Sequence, residues 1–458
     1  MEVFTRKDDN SSTRIMKRIL IDLTDLELWS GHFGGTQRVV YNISKQFYLN
    51  QENPNTTLDF ISFSTNKKRY YYTDFKTIYE RIENNKTTSI TLNQIALKQR
   101  LKRKLIRVTP EYIYKNKRIK KIIIFLLRNL YTMLLKLKIK LKKLKISFNN
   151  PDSKKAVSFS SEDVVLILGK PWDDPNIQKI LTQEKNQNNF MLVQVVYDLV
   201  VPLYPHLHHP SLFIPYTQNL FEAISISDIL LPISEATAKD LKIFSKKLNL
   251  DLPKVHVIRL GDDIVNTDSN KLKLPKPDAR IDNQFIACIG TIEIRKNHTL
   301  LYYIYKLSEN KKIKLPQLVI VGSRGWLSGD IQYLIEHDPY IKNKIIIIDN
   351  ADDNTLDWIY RNCLFTIYPS LYEGWGLPVA ESLGYGKFCL ASNSSSIPEI
   401  AGDLIEYFYP YDINNGLYKI IEYMDLKKLK TKSDIILKQY KTTSWKETLK
   451  QILNTIEK

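Results

Sequence analysis

The chain has 458 residues, 43% of them apolar and 25% charged, enough to bury the cores of two ordinary domains and too apolar for a largely disordered chain. Its net charge of +18 is not spread as a general nucleic-acid signature. Residues 101–150 hold 16 Lys/Arg and one acid, Glu111, while the rest of the chain holds 51 basic and 48 acidic residues. Cys288, Cys363 and Cys389 stand apart in apolar runs with no CxxC, the pattern of buried thiols in a reducing compartment. The opening stretch MEVFTRKDDNSSTR has no apolar run behind its charges, so no secretory leader is expected. No uninterrupted apolar stretch reaches the roughly 18–20 residues of a membrane span, and a cytoplasmic protein is the expectation.

From Arg18 onward, short β-rich runs alternate with helical segments. RILIDLT (18–24) reads as a strand, SGHFGGTQ (30–37) as a glycine loop and QRVVYNISKQFY (37–48) as the following helix, the βα opening of an open parallel sheet. Strands are also predicted at 57–63, 163–169, 191–198, 228–234 and 255–261; several are nearly continuous apolar runs, as strands covered on both faces require. Residues 266–284 are polar, contain two prolines and read as a linker. A second βα series then has strands at 285–290, 317–322, 344–349, 364–370 and 387–392, and the chain closes on an amphipathic helix at 444–458. The expected class is α/β: an N-terminal Rossmann-like domain over 1–265 with a basic insert at about 100–150, completed by the 444–458 helix, and a C-terminal Rossmann-like domain over 285–443. Ligands of such sheets bind beyond the carboxyl ends of the strands, so the loops there hold the candidate site.

One of those loops is SLYEGWGLPVAES (370–382), with Glu373 and Glu381 separated by seven residues. A strand ends before it, Pro378 suits the start of a helix, and Gly374 and Gly376 allow backbone to approach a ligand. The free N–H groups of a helix start attract anions. Two carboxylates beside an anion-friendly helix end suit a ligand carrying both phosphates and hydroxyls, as a nucleotide sugar does. The alternative for a bare glutamate pair is a cap and a surface residue.

Within PSLYEGWGLPVAESLGYG this pair resembles the E-x7-E motif of the retaining glycosyltransferases of family 4, which have the GT-B fold of two Rossmann-like domains facing across a cleft. GTIEIRKNHTLL (290–301) is similar to that family's glycine loop with its Arg-Lys pair, and SGHFGGTQRVVYNIS (30–44) to its N-terminal loop. The resemblance implies that Glu373 holds sugar hydroxyls and steadies positive charge at the anomeric carbon, and that Lys296 and Arg295 neutralise the leaving diphosphate. Glu381 would bind the ribose, with Trp375, Leu377, Gly290 and Gly322 completing the donor site. Gly34, Gly35 and Thr36 would approach the diphosphate or acceptor. VVYDLVVPLYP (195–205) departs from the family pattern: many relatives carry His-Asp where this chain has Tyr197 and Asp198, which leaves open which side chain touches the transferred sugar. No cofactor or metal is implied, the cationic pair acting where GT-A enzymes use a divalent ion.

Competing signals are weaker. Asp349, Asp352 and Asp353 lack DxD spacing and read as a strand-to-helix turn. His206, His208 and His209 in PHLHHP lack a fourth zinc ligand at a recognised spacing and read as an exposed loop.

The basic segment 117–146 places Ile123, Leu127, Leu130, Leu134, Leu137, Leu141 and Leu144 at alternating spacings of four and three, one apolar stripe on a helix. Lysine and arginine fill the positions between. A coiled coil would oppose like charges, so an interfacial helix on anionic lipid is expected ahead of packing on the protein's own core or binding nucleic acid. The composite expectation is a hexosyltransferase, with mannose favoured by loose likeness, on the inner membrane face. It would take a nucleotide sugar as donor and a lipid-linked or oligosaccharide acceptor, without nucleic acid. A non-catalytic membrane-surface scaffold of the same fold is the alternative.

Overall fold

The structure is a computed structural model, and it describes residues 17–27, 29, 34–50, 56–87, 154–262, 274–349 and 351–457. The apolar stripe Ile123–Leu144 and the basic segment around it lie outside the described residues. So do 30–33 of the first glycine loop and most of the expected linker. The chain forms two compact units, residues 1–69 with 158–458, and residues 70–157.

The larger unit contains two parallel sheets. The first has strands β1 (Lys17–Asp22), β2 (Thr56–Ser64), β4 (Asp163–Ile167), β5 (Met191–Val196), β6 (Ile229–Pro232) and β7 (Lys254–Val255), in the order β2-β1-β4-β5-β6-β7. The smaller unit contributes β3 (Arg69–Tyr72), whose Tyr71 bridges Ala156, and the helix Phe75–Thr87. The second sheet of the larger unit has β8 (Phe285–Ile289), β9 (Gln317–Val321), β10 (Ile345–Ile348), β11 (Thr366–Tyr368), β12 (Cys389–Ser392) and β13 (Glu406–Phe408), in the order β10-β9-β8-β11-β12-β13.

These strands are parallel because each return runs through a helix, and the central ones are mostly apolar because helices cover both faces. All five residues of β4, β8 and β9 are buried. The three cysteines are buried and free.

In each sheet the order reverses once, between β1 and β4 and between β8 and β11. Loops leave such a switch point in opposite directions and open a crevice at the strand ends. The second switch point lies between the loop carrying Arg295 and Lys296 and the loop carrying Glu373. The expected strand near 255–261 is regular over two residues only: His256 N and Ile258 N still donate to Leu230 O at 3.0 Å and Pro232 O at 2.9 Å, and at Arg259 the final helix, Trp445–Glu457, takes over the backbone. Gln451 Oε1 accepts from Arg259 N at 2.8 Å, and Thr448 Oγ1 donates to Arg259 O at 2.8 Å. Gly261 is required there: a Cβ would lie 2.5 Å from the Trp445 ring. The same helix packs against the helix Gly35–Leu49 under the first sheet. No helix among the described residues is long and apolar enough to cross a membrane.

Candidate active site

The β8 loop turns at Gly290, whose φ of +143° favours glycine. A Cβ on Gly322, after β9, would lie 2.0 Å from Gly290 O. Gly322 thus has a packing reason and Gly290 a conformational one. One turn, Ile294–Lys296, and a left-handed Asn297 then lead into the helix His298–Asn310. Asn297 Nδ2 donates to Pro369 O at 3.1 Å and Pro410 O at 2.8 Å, and Leu371 N donates to Arg295 O at 2.8 Å. The loops after β8 and β11 are therefore tied together by backbone.

Between them Arg295, Lys296 and Glu373 form one cluster. Arg295 Nη1 donates to Glu373 Oε2 at 2.6 Å and to Tyr372 O at 2.9 Å, and its Nη2 donates to Glu293 Oε1 at 2.7 Å. Lys296 Nζ donates to Glu373 Oε1 at 2.7 Å and to the Tyr368 hydroxyl. Two cations at a helix start oppose the macrodipole unless an anion joins them; here the anion is the protein's own Glu373. Burial disfavours the Glu373 carboxylate, but Arg295 and Lys296 outweigh it and bring its pKa down to about 2. Glu373 is ionised at neutral pH.

The backbone around Glu373 is held by serines that sequence reasoning missed. Glu373 N donates to Ser395 Oγ at 2.7 Å, and Ser396 Oγ donates to Glu373 O at 3.0 Å and Trp375 O at 2.7 Å. Gly374 lies against the loop after β5: a Cβ there would sit 2.0 Å from Tyr197 O. Tyr197 itself donates to Leu168 O at 2.5 Å, within the first sheet. Asp198 Oδ1 accepts from Val200 N at 3.1 Å, and burial raises its carboxyl against the pull of Arg295. Trp375 is buried with the Arg259 guanidinium 5.4 Å from its ring centroid. Gly376, at φ +126°, caps the helix Leu377–Gly384.

Glu381 stands on that helix and is buried, but it does not join the Glu373 cluster. Arg38 donates to its Oε1, and the Tyr360 hydroxyl donates to its Oε2 at 2.7 Å. Arg38 sits in the first turn of the helix that follows Gly34 and Gly35, so the N-terminal glycine loop and the second carboxylate meet through this arginine. A Cβ on Gly35 would touch nothing within 4 Å among the described residues, so no packing there asks for glycine. Thr36 is half-buried at the helix start, and so is Leu377 at the start of its own.

His298 is a further group that sequence reasoning missed. It is buried, and burial beside Lys296 pushes its pKa to about 3 although the Glu293 backbone pulls the other way. Asp352 caps the helix Asp353–Asn362 by accepting from Thr355 N at 2.8 Å, and Asp349 faces Arg324 at 3.6 Å. No group of three His, Cys, Asp or Glu among the described residues is arranged to hold a metal ion.

Residues 270–441 match the family model described as glycosyl transferases group 1. The chain is 25% identical over 211 residues to the O-antigen chain mannosyltransferase B of Escherichia coli, covering 45% of this chain and 54% of that protein. To a serotype-specific mannosyltransferase WbdA of the same organism it is 25% identical over 210 residues, 44% of this chain and 25% of that one. It thus spans about half, or a quarter, of the length of these relatives. Among solved structures, Anabaena Alr3699/HepE in complex with UDP and glucose aligns with a TM-score of 0.56 at 14% identity, over 96% of this chain and 99% of that one. Sucrose-phosphate synthase from Thermosynechococcus elongatus aligns with a TM-score of 0.56 at 15% identity, over 96% and 98%. Residues 270–441 thus match a group 1 glycosyl transferase domain, and the two parallel-sheet domains have the fold of GT-B glycosyltransferases.

Proposed function

We propose that the protein is a retaining hexosyltransferase of the family 4 kind, moving mannose from a nucleotide sugar to a lipid-linked or cell-surface glycan precursor. The observation that carries this reading is Glu373 gripped by Arg295 and Lys296 at the switch point between β8 and β11, where ligands of open parallel sheets bind. The mannose assignment is supported by the names of the relatives.

The donor's diphosphate enters beside Lys296, which exchanges its contact with Glu373 for a phosphate oxygen. As the bond from the anomeric carbon to the phosphate oxygen breaks, negative charge grows on the phosphate and positive charge on the sugar. Lys296 and Arg295 steady the first, and ionised Glu373 steadies the second. The acceptor oxygen forms the new bond, and its proton passes to the leaving phosphate in a front-face displacement; a covalent step through Glu373 is the other route to retention. Glu381 takes the ribose: an ionised carboxylate offers about four lone-pair sites, and Arg38 and Tyr360 use two. These fixed cations supply the positive charge that metal-dependent transferases draw from an ion.

Docking on the cytoplasmic membrane face rests on the basic apolar-striped segment 117–146. The test is a panel of nucleotide sugars, GDP-mannose among them, incubated with the full chain and monitored for nucleoside diphosphate release. Release from one donor supports the reading; a folded protein that releases none, with or without lipid-linked acceptors, overturns it.

A further inference from the structure

The stretch 199–221 contains no Asp, Glu, Lys or Arg, in a chain where one residue in four is charged. It follows β5 at the carboxyl end of the first sheet, and Pro202, Pro205, Pro210 and Pro215 punctuate it. Its single turns at Pro205–Leu207 and Pro210–Leu212 are fixed by this spacing. The PHLHHP motif lies here, and the chemistry at Glu373 leaves it unused.

Two aromatic pairs form at this loop. The Tyr204 ring is 41% exposed. It lies 5.3 Å from that of Tyr372, the residue before Glu373. Tyr372 is buried and anchored, its hydroxyl donating to Asp240 Oδ2 at 2.5 Å. The His208 ring lies 4.7 Å from that of Trp326, in the loop after β9. His208 Nδ1 accepts from His209 N at 2.9 Å, so in the neutral ring the proton sits on Nε2, a donor. Burial, with Arg295 nearby, lowers the His208 pKa to about 4, so the ring is neutral at pH 7. The Trp326 indole N–H has no hydrogen-bond partner among the described residues.

We propose that Tyr204, His208 and Trp326 form an acceptor subsite for an uncharged pyranose ring beside Glu373. The proposal rests on the transferase reading above and names its acceptor side. A sugar ring presents an apolar C–H face and an edge of hydroxyls. The loop offers the matching pair, π-faces for stacking and N–H or O–H groups at their rims. The stretch itself carries no cation for a phosphate, and its prolines restrict the loop and reduce the ordering cost of binding. Position completes the argument, because Tyr204 touches the residue next to the carboxylate where the sugar is transferred.

The experiment uses the full chain with the donor found active, and methyl α-D-mannopyranoside and α-mannobiose as acceptor probes. Tyr204→Ala and Trp326→Ala should each raise acceptor KM roughly tenfold, the size of one lost stacking contact, with a much smaller change in donor KM; Tyr204→Phe should restore the acceptor KM. Saturation-transfer NMR should show mannobiose contacts that weaken in both alanine variants. Acceptor KM and NMR contacts that stay at wild-type values in both variants would overturn the subsite. An isoprenoid phosphate without sugar that competes as well as mannobiose would also overturn it, replacing the sugar with a lipid. If the wild type releases nucleotide from no donor, the transferase reading fails, and the mannobiose NMR contacts in wild type and variants still decide the subsite.

Discussion

Replacing Glu373 by glutamine isolates the charge on which the site is built. The carboxyl is 5% exposed, and its pKa falls from an ordinary 4.5 to about 2 because two cations outweigh burial. A folded-state pKa below the unfolded one contributes stability that is present above the unfolded value and is lost as pH falls through the folded one. A shift of this size corresponds to about 3 kcal/mol at pH 7, shrinking to about 1 kcal/mol at pH 3. Glu373→Gln cannot titrate, so it should lack this increment at every pH. It should also leave Arg295 and Lys296 without a full counter-charge, adding to the loss at neutral pH. Urea unfolding of both proteins at pH 7 and pH 3 reads the difference directly. The stability gap between wild type and variant should narrow by about 2 kcal/mol on acidification. A gap that stays constant or widens would show that Glu373 is not held ionised by its neighbours, and the electrostatic account of the cluster would fail.

Lys296→Ala should lower kcat by roughly 10² to 10³ with a smaller change in donor KM, because the cation is needed most as the leaving phosphate gains charge; steady-state kinetics with the active donor checks this. Glu381→Ala should weaken nucleotide binding about tenfold, the worth of two ribose hydrogen bonds, as read by titration calorimetry. Gly374→Ala puts a Cβ 2.0 Å from Tyr197 O, so thermal unfolding should show a loss of about 1–3 kcal/mol. Deleting residues 117–146 should abolish sedimentation with anionic liposomes while donor hydrolysis persists; unchanged liposome binding would remove the interfacial-helix proposal.

What was readable in the sequence was local. The pair Glu373 and Glu381, the Arg295-Lys296 step and the strand runs of both sheets declare themselves within short windows, through spacing, glycine and β-branched residues. What was not readable depends on contacts far apart in the chain. Arg38 reaches Glu381 across 343 positions, and no periodicity announces such a meeting, although an arginine one turn beyond Gly34-Gly35 was a usable hint. Ser395 and Ser396 look like ordinary turn residues until the β12 loop folds back onto Glu373. The strands β3 and β13 were missed because RYYY and EYF are too short to show alternation. The basic stripe was the reverse case: it is conspicuous in sequence and lies outside the described residues.

The central claim is that one pocket grips a diphosphate with Arg295 and Lys296 while Glu381 holds the ribose. A crystal structure with a bound nucleoside diphosphate tests it most directly. The β-phosphate should lie within hydrogen-bond distance of Lys296 Nζ and the ribose hydroxyls on Glu381; a nucleotide seated elsewhere, with Lys296 still on Glu373, would contradict it.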